Sequence, residues 1–376
     1  MAQHLTVVQM LPALESGGVE KGALEVGRHL VRNGHRSIVI SAGGRMVAQL
    51  EREGSEHIAW PVGAKRLTTL RYIWKVREFL ARERPDILHL RSRLPAWIGY
   101  RAWRGLPPAT RPHLVTTVHG PYTPGRYSSV MVRGERVIAI SDMIRAYILG
   151  NYPWVDPGII RVIPRGVDPV AYPYSYKPAA EWLAAWRAQY PDLEGKYVIT
   201  LPGRLTRWKG QEDFIRIVAA LKARGLPVHG VLVGDAHPRK QYYADELRQQ
   251  AQAAGLENDV LFTGHRADVK EIMAVSNVVL SLSLDPEAFG RVSLEALTLG
   301  VPVAAYDHGG VAEQLAVVFP QGRVAVGDAR AMEERLAQWY CARPVVPERH
   351  PFTLERMLSS TLTVYRELAS VQRESK

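Results

Sequence analysis

The chain has 376 residues, 47% hydrophobic and 23% charged, with a formal net charge of +11. That length exceeds one ordinary core and fits two α/β domains, while the balance of residues excludes a disordered or fibrous protein. The single cysteine, Cys341, cannot close an internal disulfide, and no Cys/His cluster has zinc spacing, so a reducing cytoplasm is expected.

In chain order, residues 1–10 read as a short strand-like run (Leu5, Val7 and Val8 within a strand at 5–9) without a basic leader, so no signal peptide is expected. A glycine-containing turn at 16–18 and a helix at 19–33 follow, then a strand at 37–40. Between Lys65 and Arg111 lie twelve Lys or Arg against three carboxylates, a field that favours anionic partners. Within it, Leu67, Leu70, Ile73, Trp74, Val76, Phe79 and Leu80 recur at near-helical spacing and are expected to pack on the sheet. Trp97, Tyr100 and Trp103 follow in another Arg-rich stretch. A basic helix with aromatics also suits an anionic membrane surface, but no apolar run is long enough to span a bilayer, so a soluble or peripheral protein is expected.

Further strands are expected at 87–90, 113–118 and 136–140. Residues 169–178 hold three prolines and three tyrosines, which cannot continue a helix or a central strand, and the domain junction is assigned there. The second half opens with a strand at 196–201, a turn at 202–210 and a helix at 212–224, with strands at 229–233, 260–263, 278–282 and 303–306. From about residue 352 a single helix is expected, with no strand after it. The domains are therefore 1–170 and 171–350, with a C-terminal helix at 351–376 packing back on the first domain. Short β-branched runs alternating with helical segments are βα units, which make a parallel sheet in each half. Such sheets bind ligands in the loops at the carboxyl ends of their strands.

Two of those loops carry chemistry. Glu287 and Glu295 flank Phe289-Gly290-Arg291-Val292 just after the strand at 278–282, with a helix starting near 293. The glycine permits close backbone approach and a helix start favours an anion such as a diphosphate, while each glutamate can accept from sugar or ribose hydroxyls. Alone, two glutamates at this spacing are more often a solvated loop and a helix surface. In the same half, Arg204 and Lys209 sit between strand and helix, where two cations can clamp a pyrophosphate. Arg266 follows another strand of that half and either faces the nucleotide or is a solvated loop residue. In the first half, His119 ends the strand at 113–118; it is a site residue or a buried structural histidine, and its place at the loop entry favours function.

With these residues in view, the sequence resembles the retaining glycosyltransferase family 4. The motifs are Gly17-Gly18-Val19-Glu20, Val118-His119-Gly120, Gly166-Val167-Asp168, Gly203-Arg204 to Lys209-Gly210, Glu287 to Glu295, and Gly309-Gly310. Residues 90–97 and 161–168 are further similar to lipopolysaccharide core glycosyltransferases of Gram-negative bacteria. The resemblance implies the GT-B architecture, two Rossmann-like α/β domains facing across a cleft. It implies transfer of a hexose, with retention, from a nucleotide diphosphate sugar (UDP being the favoured carrier) to a saccharide or glycolipid acceptor in lipopolysaccharide core or cell-envelope glycan synthesis. By that resemblance Arg204 and Lys209 neutralise the diphosphate, Glu295 holds the ribose and Glu287 the transferred sugar. Backbone N–H groups from Phe289, Gly290, Arg291 and Val292 touch phosphate or sugar, Gly17 and Gly18 admit the donor phosphates, and His119 is the active-site histidine. The chain departs from the family in having Arg165 where an Asn commonly precedes Gly-Val-Asp. No cofactor and no metal are expected, since no Asp-X-Asp or other carboxylate cluster occurs. A cytoplasmic protein, peripheral on the inner face of the membrane and not a nucleic-acid binder, is the expectation. The alternatives are a GT-B sugar-nucleotide epimerase or phosphorylase, a basic nucleic-acid-binding Rossmann protein, and a nicotinamide oxidoreductase, which lacks its Gly-X-Gly-X-X-Gly fingerprint here.

Overall fold

Val7, Val8 and Met10 are fully buried in one strand, β1 (Thr6–Met10), because a parallel sheet covered on both faces needs apolar residues in succession. In the computed structural model, which describes residues 4–15 and 17–374, β1 belongs to a seven-stranded parallel sheet. Its companions are β2 (Arg36–Ser41), β3 (Glu56–Ala59), β4 (Ile87–Leu90), β5 (His113–Val118), β6 (Arg136–Ala139) and β7 (Ile160–Val162). The spatial order is β3-β2-β1-β4-β5-β6-β7, with Val8 opposite Ile38 on one side and Leu88 on the other. The second sheet has six strands: β8 (Tyr197–Pro202), β9 (Val228–Val233), β10 (Val260–Phe262), β11 (Val278–Ser281), β12 (Val303–Tyr306) and β13 (Arg323–Val324). Its order is β10-β9-β8-β11-β12-β13, again all parallel. Each order reverses beside its opening strand, at β1/β4 and at β8/β11. There the flanking loops diverge and leave room for a ligand.

The chain divides into one unit of residues 1–164 with 355–376 and another of 165–354. The expected junction at 169–178 falls inside the second unit. Backbone bonds explain this: Val167 N–H reaches Phe352 O at 3.1 Å and Leu354 N–H reaches Val167 O at 2.9 Å, tying 165–178 to the second sheet's side. The last helix, Leu354–Glu374, joins the first unit through a buried polar network. The Tyr365 hydroxyl lies 2.6 Å from His89 Nδ1, His89 Nε2 lies 2.6 Å from Thr117 Oγ1, and Arg91 Nε donates to Gln9 Oε1 at 2.7 Å. Burial pushes the Tyr365 phenol up to about 12, against the pull of Arg91, so it remains a neutral hydrogen-bonding group at physiological pH.

The segment 66–84 corrects one expectation. Its apolar residues do not form a single buried stripe, because Leu67–Arg71 is a 3-10 turn and only Tyr72–Glu83 is α-helical. A three-residue period does not continue a 3.6-residue face. Val76, Phe79 and Leu80 pack inward, while Leu67, Leu70 and Trp74 are 87%, 49% and 67% exposed. Among the described residues no helix is long and apolar enough to cross a membrane.

Candidate functional site

The site in the second unit is built where β8 and β11 end side by side. After β8 the chain turns through Arg207–Lys209 into Gly210, whose φ of 75° opens the helix Gln211–Ala223. A side chain at Gly210 would collide with the carbonyl of Leu282, so glycine alone lets this loop lie against the end of β11. Leu284 N–H then bonds Trp208 O at 2.6 Å and laces the two loops together. This brings Lys209 to Glu287, 78 residues away: Nζ lies 2.7 Å from Oε1, with both side chains less than one-fifth exposed. Ser283 Oγ donates to the same oxygen at 2.5 Å, and His308 Nε2 donates to Ser283 O at 2.6 Å. The Gly309-Gly310 turn grips the backbone of Glu287, Gly310 N–H bonding its carbonyl at 2.7 Å.

Gly290, with φ of 82°, opens the helix Arg291–Thr298, and no side chain caps that start. Its first N–H groups and positive dipole end therefore stand ready for an anion. Lys209, Ser283, Glu287, Gly290, Arg291 and Val292 line one pocket. Glu295 lies a turn along the same helix, with Oε1 3.9 Å from Arg291 Nε. Burial first, then the charge of Glu295 and a hydrogen bond to it, pushes the Tyr172 phenol above its ordinary pKa. Phe289 does not line this pocket: its ring is buried, 6.1 Å from that of Phe352. Gln314 Nε2 donates to its carbonyl.

The remaining expected residues differ in placement. Arg204 stands exposed on the loop after β8 that also carries Lys209; Gln211 Nε2 donates to its carbonyl at 3.1 Å, and its guanidinium has no bond among the described residues, which leaves it open to a ligand. Arg266 does not line the pocket: it forks onto Asp268 at 2.9 and 2.7 Å and lies over the Trp186 ring at 5.6 Å. The hydrogen bond from Arg266 holds the Asp268 carboxyl below the usual range, so this arginine's charge is already matched. In the first unit, Gly17 caps the helix Gly18–Arg32 at the end of β1 without a side-chain bond. Ser16, the start of that expected turn, lies outside the described residues. His119 follows β5, and its N–H donates to the Tyr122 hydroxyl at 3.4 Å. Among the described residues, no group of three or more His, Cys, Asp or Glu could hold a metal ion. Sequence reasoning missed Ser283, His308 and Tyr172; the first two follow β11 and β12 directly, which was the available signal.

Two family models match in tandem, Glycosyltransferase Family 4 over residues 16–170 and Glycosyl transferases group 1 over residues 184–349. The chain belongs to the GT-B glycosyltransferases of family 4. It is 28% identical over 246 residues to the lipopolysaccharide core biosynthesis mannosyltransferase LpcC of Rhizobium leguminosarum, covering 63% of this chain and 65% of that one. To the α-maltose-1-phosphate synthase of Mycolicibacterium smegmatis it is 27% identical over 260 residues, covering 63% and 64%. It thus spans just under two thirds of the length of these curated relatives. A solved glycosyltransferase from Rickettsia africae superposes with a TM-score of 0.85 at 27% identity, over 98% of this chain and 99% of that one. HepE of Anabaena, solved with UDP and glucose, shares the family's fold at a TM-score of 0.71 and 23% identity, over 99% and 98%.

Proposed function

We propose that the chain transfers a hexose, with retention, from a nucleoside diphosphate sugar to a saccharide or glycolipid acceptor. The observation that carries this reading is the Lys209–Glu287 pair beside the uncapped start of the helix at Gly290. An ammonium has three N–H donors, and one on Glu287 leaves two for a diphosphate; the second oxygen of Glu287 can take a sugar hydroxyl. In this reading the bond from the anomeric carbon to the leaving phosphate breaks as the acceptor oxygen adds on the same face. The acceptor's proton goes to the departing phosphate oxygen. Lys209, Arg204 and the helix start stabilise the charge that develops there, so no metal is needed. Glu287 and His119 carry the catalytic roles, and Glu295 holds the ribose. UDP is the carrier named by the HepE complex and is the first to test. UDP and UDP-hexoses should raise the melting temperature, by about 2.7 kcal/mol of stabilisation at a hundredfold excess over Kd. NAD or duplex DNA giving the larger shift would favour the oxidoreductase or nucleic-acid reading instead.

The acceptor in this reading is an envelope glycolipid at the inner face of the cytoplasmic membrane, in keeping with the similarity to LpcC. Exposed Leu67, Leu70 and Trp74 stand among exposed Lys65, Arg66, Arg71 and Lys75, which suits insertion at an anionic lipid surface. Each cation near such a surface contributes about 1 kcal/mol. Replacing Arg66, Arg71 and Lys75 by Gln should therefore weaken binding to phosphatidylserine vesicles on the order of a hundredfold, with neutral vesicles binding poorly throughout. Equal binding to both vesicle types would remove the membrane from the account.

A further inference from the structure

The helix Arg93–Arg104 carries part of the segment 90–97, which the donor chemistry leaves unused. Its first residue, Arg93, has its guanidinium over two rings, Tyr122 at 4.9 Å and Tyr127 at 5.3 Å. On the same helix Arg101 lies over Trp97 at 5.8 Å, and Arg133, from the segment after β5, lies over Tyr100 at 5.8 Å and Trp154 at 5.4 Å. Several other arginines over rings also find carboxylates: Arg82 has Glu83, Arg207 has Glu246 and Arg266 has Asp268, while exposed Arg71 and the backbone-bonded Arg111 do not. Arg93, Arg101 and Arg133 have no carboxylate partner among the described residues. Arg93 makes one long bond, Nη1 to Ser128 Oγ at 3.4 Å, and the rest of its planar fork has no acceptor among the described residues. A half-buried guanidinium held in place by rings, with no counter-charge, is pre-organised for an anion with two oxygens.

Position gives that anion a context. Arg93 follows β4 and Tyr122 and Tyr127 follow β5, so the cluster stands at the carboxyl ends of adjacent parallel strands. It adjoins His119, whose N–H bonds the Tyr122 hydroxyl. The Tyr147 hydroxyl fixes the same turn by donating to Tyr122 O at 2.5 Å. Tyr127, 48% exposed, offers a ring face against which the C–H side of a pyranose can pack. We propose that Arg93, Tyr122 and Tyr127 form a subsite for a negatively charged sugar of the acceptor, one bearing a carboxylate or a phosphate. The assignment to an acceptor rests on the glycosyltransferase reading; the binding of the anionic sugar does not.

The test titrates the full chain with glucuronate, glucose 6-phosphate and glucose, followed by ligand-observed NMR. Charged sugars should bind on the order of tenfold or more tighter than glucose, and the two anions separate carboxylate from phosphate recognition. Arg93→Gln should abolish the preference, and Arg93→Lys should restore part of it, without the bidentate geometry. The shift in melting temperature with UDP serves as the check that each variant is folded. It also separates the two ideas, since absence of a UDP shift in the unaltered chain counts against the donor reading alone. Equal affinity for all three sugars, a preference that survives Arg93→Gln in a folded variant, or stronger competition by a single-stranded oligonucleotide would each overturn the subsite.

Discussion

Lys209→Ala should lower kcat/KM for sugar transfer by roughly 30- to 1000-fold, corresponding to about 2–4 kcal/mol of lost transition-state stabilisation. The size follows from position. Lys209 Nζ is largely sequestered between Glu287 at 2.7 Å and the Trp208 ring at 4.5 Å, where a charge-assisted contact is stronger than at an open surface. Because charge grows on the leaving diphosphate only as the glycosidic bond breaks, the loss should fall mainly on kcat. The fold should persist, since Ser283 still bonds Glu287 and the glycine turns that shape the loop are untouched. Steady-state kinetics with a UDP-hexose, beside a thermal melt of the variant, makes the check. Unchanged kinetics in a folded variant would return Lys209 to an ordinary loop cation.

Gly310→Ala should damage both stability and transfer, and for a purely steric reason. A Cβ there would lie 2.5 Å from Phe289 Cα and 2.7 Å from Ala288 O, both main-chain atoms that no rotamer change can move aside. Relief requires shifting the 287–289 backbone, which also disturbs the bond from Gly310 N–H to Glu287 O. Overpacking of this kind costs about 1–3 kcal/mol, or roughly 2–12 °C of melting temperature for a unit of this size. Gly150→Ala is the control: a Cβ there meets nothing within 4 Å, so the melt should stay level or rise slightly. Equal melting of the two variants, with Glu287-dependent transfer intact, would show that the Gly309-Gly310 turn does not hold the site.

Much of this architecture was legible in the chain, and the reasons are specific. Strands buried on both faces, such as β4, β8, β9 and β12, have to be apolar in succession, and each was expected within a residue or two of its bounds. β3, β7 and β13 were not, because each is short and only partly buried, so no unbroken apolar run marks it. Gly210 and Gly290 marked the donor loops, since positive φ is a local demand that one residue type satisfies cheaply. The Lys209–Glu287 bond was not legible as a bond: it joins loops 78 residues apart, and only the strand order β8-β11 brings them together. For Arg266 the sequence left a nucleotide contact and a solvated loop residue open; what it did not show is the local clamp on Asp268, two residues away, because a bond between near neighbours leaves no pattern in residue spacing. The 66–84 stripe read as one helix because a 3-10 turn leaves no mark in apolar spacing.

The central claim is that Lys209, Arg204 and the helix start at Gly290 activate a nucleoside diphosphate sugar for same-face transfer without a metal. Proton NMR of the product formed from an α-linked UDP-hexose in excess EDTA tests this most directly, with a glycolipid or saccharide acceptor present. The account predicts an α-anomeric product at a rate that EDTA leaves unchanged. A β-anomeric product, or activity that vanishes in EDTA and returns with Mg²⁺ or Mn²⁺, would contradict it.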